Sequence, residues 1–327
     1  MSMPEGIVTR TTMTEAREQL ATSGFLHVDI ELPDLPDDDP PSTRLLTDQL
    51  GLENAYLTWF GRAGEPARAD FLGDRAAFVV PVAEGVRVRH FHALATERHL
   101  ITVHHGTLGL LNGFVSRLPV ERPSDVVAML FLLLQEALGT FRRVAVSDLL
   151  LVEELEDDMF EQRDPGQVYR LAQLRRRAAL LHHSLLPYLQ ATDEVVSRRL
   201  LSREFPQERQ RLARQFQQTG RLVLSDIESL QDAARRAFAS YASLVSGEQN
   251  GVINRLAIVS VIFLPLSFLT GFFGMNFTYM TDELESKVVF WLLAVGLQAA
   301  VVFIAVYVLH RTRIWRRLRD DDSPNGR

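Results

Sequence analysis

The sequence predicts an α+β N-terminal domain, a long helix that follows it, and two membrane-spanning helices near the C-terminal end. Strand-like segments come first and helical segments second, which is typical of an α+β domain rather than of alternating parallel units. From Gln207 to Phe273 the residues favour helix throughout, and Pro265 is the only proline. Residues 256–273 and 288–309 contain no charged side chain, and each run is long enough to cross a hydrocarbon core of about 30 Å.

The N-terminal domain is expected to hold a small mixed or antiparallel sheet. Its strand-like segments are rich in Val, Ile, Leu and Phe and are bounded by Gly or polar residues. They cover residues 25–30, 55–60, 76–81, 86–92 and 99–105. Residues 32–42 combine four prolines with four aspartates, a composition that predicts an exposed acidic loop.

Helices are predicted after the strands, over residues 124–138, 144–162 and 167–201, with a break at Asp164-Pro165-Gly166. The next helix, over residues 207–273, would be roughly 100 Å long at 1.5 Å per residue. Gly220 and Gly247 weaken it locally, so two collinear helices remain an alternative. An apolar stripe on its first half is suited to packing against other helices. The stripe consists of Leu212, Phe216, Val223, Ile227 and Leu230.

Composition excludes several classes of protein. The formal net charge of −6 argues against a nucleic-acid-binding protein, because such proteins carry basic surfaces that neutralise phosphates. The absence of cysteine excludes disulfides, thiolate zinc sites and cysteine nucleophiles. His90 and His92 would share one face of a strand, and a partly exposed strand face is favoured there over a metal pair. No Ser-His-Asp, phosphate-loop or paired-carboxylate pattern is present, so we expect no enzyme and no cofactor.

These features divide the chain into a cytoplasmic α/β domain (residues 1–205), a cytoplasmic stalk helix (206–254) and a transmembrane domain (255–327). The spans are expected at about 255–273 and 288–309, joined by an outer loop at 274–287. That loop is acidic through Asp282, Glu283 and Glu285, whereas five arginines follow the second span between residues 311 and 319. The positive-inside rule therefore predicts that both termini are cytoplasmic. Residues 1–20 are polar and do not resemble a signal peptide.

A family resemblance rests on residues 271–277, Gly-Phe-Phe-Gly-Met-Asn-Phe, at the outer end of the first span. Residues 263–268, Phe-Leu-Pro-Leu-Ser-Phe, precede this motif, and Tyr241 and Asn250 lie at matching distances before it. The segments 99–104 and 180–189 match more faintly. In this order of soluble domain, long helix, motif, acidic loop, second span and basic tail, the sequence resembles the CorA family of divalent-cation channels.

The resemblance implies a CorA-like homopentamer in the lipid bilayer of a bacterial or archaeal cell (inner) membrane. Such a channel would pass Mg²⁺, and also Co²⁺ or Ni²⁺, which are transported substrates rather than cofactors. Its selectivity filter would be Gly274, Met275 and Asn276, with Asn276 binding the hydrated cation through neutral amide oxygens. Its pore-lining positions would be Asn250, Ile253, Leu256, Ser260, Leu264 and Ser267.

The sequence departs from the family at several points. Phe273 stands where an aromatic hydroxyl is common, and Gln215 occupies the approximate stalk position of an acidic Mg²⁺ sensor, so no regulatory site is assigned. Taken alone, Gly274 and Asn276 also fit a simple helix C-cap. Two alternative functions stay open. One is zinc transport of the related ZntB-like branch, although the glycines that usually follow the motif there are absent from residues 277–279. The other is a non-conducting membrane-anchored sensor or scaffold.

Overall fold

A computed structural model describes residues 12–22, 26–33, 59–60, 62, 64–72, 75–161, 164–200, 205–275 and 286–311. The chain forms two compact units, residues 1–238 and 239–327.

The first unit contains a five-stranded mixed sheet with the strand order β1-β5-β4-β3-β2. Strands β1 and β5 pair in parallel, and the other neighbours pair antiparallel. Four of the predicted strands are confirmed, but Trp59 and Phe60 of the segment predicted at 55–60 lie in a turn, and residues 51–58 are outside the described residues. The strands are β1 (Leu26–Leu32), β2 (Arg68–Leu72), β3 (Arg75–Glu84), β4 (Arg87–Ala95) and β5 (His99–His105).

Among the described residues before 201, four helices accompany the sheet: α1 (Met13–Thr22), α2 (Gly109–Glu121), α3 (Val126–Glu161) and α4 (Pro165–Leu200). The two helices predicted at 124–138 and 144–162 are wrong as separate elements, because α3 is continuous. No proline interrupts it, and its buried face runs on through Leu138, Phe141 and Ala145. α3 packs on the sheet, and the Thr140 hydroxyl accepts the Ala83 N–H at 3.0 Å.

Asp125 fixes the start of α3. Its Oδ1 accepts the backbone N–H of Ala128 at 2.7 Å, which satisfies one of the free donors of the first helical turn. Its Oδ2 accepts from Nε of Arg209 at 2.8 Å and lies 2.7 Å from Nη2 of the same side chain. One carboxylate therefore caps α3 and holds beside it the first turn of the long helix that begins at Gln207.

Helix α5 (Gln207–Phe273) is continuous over 67 residues, so the structure shows one helix and not two collinear ones. The predicted apolar stripe is buried at Phe216, Val223, Ile227 and Leu230, whereas Leu212 is half-buried. Gly220 is buried on this face, where an added Cβ would lie 2.6 Å from Cδ2 of Leu189. A larger residue would push α5 away from α4, so the glycine permits their close approach.

The second unit contains the C-terminal part of α5 and the helical segments after residue 286. These segments are a short α-helical turn (Lys287–Val289), a π-helical segment (Phe290–Gly296) and helix α6 (Leu297–Arg311). Within the described residues, α5 is the one helix long and apolar enough to cross a membrane, and Leu297–Val308 is a shorter apolar helix. The second expected span is thus helical, but it changes helix type within its length.

Candidate functional site

The apolar part of α5 has two unlike faces in the single chain. One face is half-buried and recurs every three or four residues, at Ile258, Ile262, Leu266, Leu269 and Phe273. The positions predicted to line a pore lie on another face, centred roughly 160–170° away around the helix at 100° per residue. The predicted pore face therefore lies nearly opposite the face that the chain already covers in part.

The exposure of the predicted pore residues fits this placement. The side chains of Ile253, Leu256 and Leu264 are 61%, 66% and 69% exposed, and Asn250 and Ser267 are exposed as well. Such large apolar side chains are unusual on a water-exposed surface when they are contiguous, and they indicate contact with lipid or with other chains. The face thus alternates polar groups with bulky apolar ones along the helix.

Ser260 is half-exposed on the same face. Its hydroxyl donates to the carbonyl oxygen of Leu256, one helical turn earlier, at 2.9 Å. Because the proton is engaged within the helix, the hydroxyl oxygen presents its lone pairs outward. The water molecules around a cation point their hydrogens away from it, so an outward-facing acceptor of this kind suits a hydrated cation.

The predicted selectivity filter begins where α5 ends. The N–H of Gly274 donates to the carbonyl oxygen of Thr270 at 3.0 Å, and the N–H of Met275 donates to that of Phe272 at 3.3 Å. A Cβ on Gly274 would lie 3.1 Å from the Thr270 carbonyl oxygen, tighter than ordinary contact. The glycine therefore allows the chain to leave the helix directly above Thr270.

Four predicted site residues lie outside the described residues: Asn276 of the filter and Asp282, Glu283 and Glu285 of the acidic loop. They are not placed by the structure, and their roles stay predictions.

Gln215, at the expected stalk position of a Mg²⁺ sensor, is exposed on α5. It lies in a shallow depression with Arg211 and Arg214. Among the residues that the structure describes, no group of three His, Asp or Glu side chains is arranged to hold a metal ion.

Sequence reasoning missed a polar contact between the two apolar helices. The Nε2 amide of Gln298 in α6 donates to the Thr270 hydroxyl oxygen at 3.2 Å. The Thr270 hydroxyl itself donates to the carbonyl oxygen of Leu266 at 2.8 Å. The sequence did contain a signal for this contact, because Gln298 stands in the middle of an otherwise apolar run. Polar groups at membrane depth are energetically unfavourable and usually find a partner.

The histidines of the sheet make their contacts within the first unit. His92 is buried, its Nε2 lies 3.0 Å from the Arg62 carbonyl oxygen, and its ring contacts Trp59 and Phe60. The favoured expectation of a partly exposed strand face is therefore wrong for His92, whereas His90 is half-buried. Burial lowers the pKa of His92 to about 4, so the ring is neutral at pH 7.

A polar network joins the parallel strands β1 and β5. The Thr102 hydroxyl donates to Oδ1 of Asp29 at 2.5 Å, and His27 Nε2 lies 3.1 Å from that hydroxyl. His104 places Nε2 at 3.3 Å from Oδ2 of Asp29 and Nδ1 at 2.5 Å from the Gly106 carbonyl oxygen. Because both partners of His104 are acceptors, the geometry suits the imidazolium form.

The pKa values follow the same geometry. Burial lowers the pKa of His27 to about 4. Burial is the largest single influence on Asp29 and His104 and opposes both charged forms, but their hydrogen bonds and the attraction of opposite charges together outweigh it. The pKa of Asp29 is therefore lowered and that of His104 is raised. The network holds one ion pair, between the buried His104 and the partly exposed Asp29, that ties the edge strand β1 to β5.

Asp148 and Arg177 form a second ion pair, between α3 and α4. Asp148 is fully buried, and its Oδ2 lies 3.0 Å from Nε of Arg177, whose side chain is 25% exposed. Burial raises the pKa of Asp148, and the Arg177 charge opposes that shift. The carboxylate therefore depends on a single cation for its charged state.

Comparison with known proteins identifies the chain's relatives. The chain is 30% identical over 135 residues to the cobalt/magnesium transport protein CorA of Thermotoga maritima (40% of this chain, 37% of that protein). It is 31% identical over 125 residues to the zinc transport protein ZntB of Yersinia enterocolitica (38% of this chain, 37% of that protein). The chain thus spans little more than a third of the length of either curated relative.

The fold matches a full-length relative. The CorA magnesium transporter of Methanocaldococcus jannaschii superposes with a TM-score of 0.73 and 18% identity, over 88% of this chain and 91% of that one. A family model described as CorA-like Mg²⁺ transporter protein matches residues 32–311. Because that match covers most of the sequence, the chain belongs to the CorA-like Mg²⁺ transporter family.

Proposed function

We propose that the chain is a homopentameric channel that passes hydrated Mg²⁺, and also Co²⁺ or Ni²⁺, into the cytoplasm. The observation that carries the proposal is the exposed face of α5 that runs up to Gly274. On this face Asn250, Ser260 and Ser267 alternate with large apolar side chains. Around a shared axis, the polar positions would form rings of oxygen acceptors, and the apolar positions would form constrictions that exclude water when narrow.

The chemistry of Mg²⁺ supports a filter made of neutral oxygens. Mg²⁺ gives up its water reluctantly and usually keeps several water molecules when it binds to proteins. A ring of Asn276 amides would hydrogen-bond the hydrated ion and would not have to strip it. The Ser260 hydroxyl, whose proton is bonded to Leu256, would offer the same kind of acceptor deeper in the pore.

The membrane potential would drive the transport. An inside-negative potential of 100 mV is worth about 4.6 kcal/mol for a divalent ion, twice the value for a single charge. That energy accumulates cations without ATP. The acidic residues Asp282, Glu283 and Glu285 of the outer loop would raise the cation concentration at the mouth.

The proposed topology follows from charge. We place the domain of residues 1–205 and the basic C-terminal tail in the cytoplasm and the loop at 274–287 outside, in a bacterial or archaeal cell membrane. The stalk would be residues 206–254 and the transmembrane domain residues 255–327.

Zinc transport is the second candidate. The 31% identity to ZntB of Yersinia enterocolitica is as high as the 30% identity to CorA of Thermotoga maritima, so identity does not separate the two cations. Residues 277–279, Phe-Thr-Tyr, lack glycine, and on this ground we rank zinc second.

Ion uptake by proteoliposomes tests the proposal. The full-length chain is reconstituted, an inside-negative potential is imposed, and uptake of Mg²⁺, Co²⁺, Ni²⁺ and Zn²⁺ is measured separately. We expect potential-driven uptake of Mg²⁺ that Co²⁺ and Ni²⁺ inhibit by competition. Uptake of Zn²⁺ alone would favour zinc transport, and no uptake of any of the four ions would favour a non-conducting sensor.

A further inference from the structure

The hydrogen bond between Gln298 and Thr270 lies directly below the proposed mouth of the pore. Thr270 takes part in three hydrogen bonds at once. Its hydroxyl oxygen accepts from Nε2 of Gln298 at 3.2 Å, and its hydroxyl proton goes to the carbonyl oxygen of Leu266 at 2.8 Å. Its own carbonyl oxygen accepts the N–H of Gly274 at 3.0 Å. A continuous chain of bonds therefore connects the second apolar helix to the first residue of Gly274-Met275-Asn276.

The helix that carries Gln298 has an unusual feature next to it. The π-helical segment Phe290–Gly296 ends two residues before Gln298. A π-helical turn holds more residues than an α-helical turn, so it changes which side of the helix the following residues occupy. Such segments are rare and occur often at functional sites.

Physical chemistry favours a fixed partner for Gln298. An amide surrounded by hydrocarbon loses its hydrogen bonds to water, and the loss is unfavourable unless a protein group replaces them. Thr270 supplies an acceptor within α5, and its remaining bonds are directed along that helix. The bond between Gln298 and Thr270 therefore links the last turns of α5 to α6.

We propose that Gln298 is a positioning residue for the ion-selective mouth. It acts through Thr270 and does not touch the ion. By holding Thr270, it fixes the last turn of α5, from which Gly274 starts the filter. This proposal rests on the channel function proposed above, and it assigns to the second apolar helix a role in cation affinity and selectivity in addition to packing.

The test compares variants that remove the same bond from either side. Gln298→Leu removes the donor at similar volume, and Thr270→Val removes the hydroxyl without changing the shape. Tyr307→Phe is the matched control, because it also deletes one polar group from the second apolar helix, at an exposed position. Thr270→Ser keeps the hydroxyl and is the rescue variant. Uptake of Mg²⁺ by proteoliposomes is measured for its half-saturating concentration, its maximal rate, and its inhibition by Co²⁺, Ni²⁺ and Zn²⁺.

We expect Gln298→Leu and Thr270→Val each to raise the half-saturating Mg²⁺ concentration about 3- to 20-fold, the range that corresponds to one hydrogen bond between membrane helices. The double variant should resemble either single one, since both remove the same bond. Thr270→Ser and Tyr307→Phe should stay close to the wild type.

Two outcomes would overturn the proposal, and they differ from each other. If both variants lower only the maximal rate, with unchanged half-saturation and unchanged order of inhibitors, the bond merely stabilises the folded chain. If the wild type itself conducts no ion, the channel function fails and the positioning role fails with it.

Discussion

Cysteine substitution along the first span should reveal one water-facing stripe. The chain has no cysteine, so each introduced residue supplies a unique thiol in every subunit. We choose Leu256→Cys and Leu264→Cys on the proposed pore face and Ile258→Cys and Ile262→Cys on the half-buried face. Val259→Cys is the control, because Val259 is 54% exposed in the single chain but lies about 100° away from the centre of the pore face.

The expected difference in modification rate between the two faces follows from thiol chemistry. The thiolate is the reactive species, and moving a charged group out of water costs several kcal/mol even after relaxation. Each 1.36 kcal/mol lowers the thiolate population tenfold. Thiols at positions 256 and 264 should therefore react at least about 100-fold faster than those at 258, 262 and 259.

The assay is the rate at which a charged, membrane-impermeant thiosulfonate modifies each variant in membranes, followed by the mass shift of the intact chain. The unsubstituted chain should not react. Equal rates at positions 256 and 258 would refute the assignment of faces. Fast reaction at 259 together with 256 would show that exposure in the single chain, and not a pore, governs access.

Two further predictions concern ion pairs in the first unit, and both use thermal unfolding of the purified full-length protein followed by circular dichroism. Arg177→Met leaves the buried Asp148 without its cation and should destabilise the protein by about 3–5 kcal/mol, which corresponds to a loss of about 10 °C in midpoint for a unit of this size. Since burial raises the pKa of Asp148, this loss should shrink as the pH falls and the carboxyl is protonated. His104→Gln should remove a pH dependence of the thermal unfolding midpoint. The raised pKa of His104 means that its contribution is present below its ordinary pKa of 6.5 and disappears as the pH rises through the folded-state value. That contribution should be about 1 kcal/mol or less, because Asp29 is 36% exposed.

Each of these predictions has its own control. Replacing both members of the first pair, Asp148→Leu with Arg177→Met, should restore the midpoint to near that of the wild type, because no uncompensated charge is left. A double variant as unstable as Arg177→Met would contradict the argument.

For the second pair, Asp29 and Glu31 are the acidic groups that raise the pKa of His104. The wild-type midpoint should fall relative to His104→Gln between pH 6 and pH 9, and parallel profiles would show that the pair contributes nothing.

The long helix and the two apolar segments could be predicted because their signals are local. Residues 207–273 contain one proline and strong helix formers, and the structure places a helix over the same residues. α2 was missed for the opposite reason. Gly113 and Pro119 suggest a loop, but Leu110, Phe114 and Leu118 bury enough apolar surface to hold this helix.

Features that depend on distant parts of the chain could not be predicted. The parallel pairing of β1 with β5 joins segments about seventy residues apart. From the sequence alone, Gly220 is a residue that weakens the helix. Its role becomes clear only in the structure, where Leu189 of another helix lies beside it. Predicting the contact of Gln298 with Thr270 would also require the geometry of the π-helical segment. No pattern in the sequence indicates that segment.

The most direct test of the channel is Mg²⁺ influx through Asn276→Ala. Asn254→Ala is the matched control, because it makes the same chemical change on α5 at a residue that is not one of the predicted pore-lining positions and lies about 110° from the centre of the proposed pore face. Both variants and the wild type are reconstituted, and influx is driven by an inside-negative potential with Co²⁺ and Ni²⁺ as competitors. We predict that Asn276→Ala loses Mg²⁺ influx or its preference for Mg²⁺, whereas Asn254→Ala retains both. Influx through Asn276→Ala with wild-type rate and wild-type competition would contradict the claim that Asn276 forms the mouth.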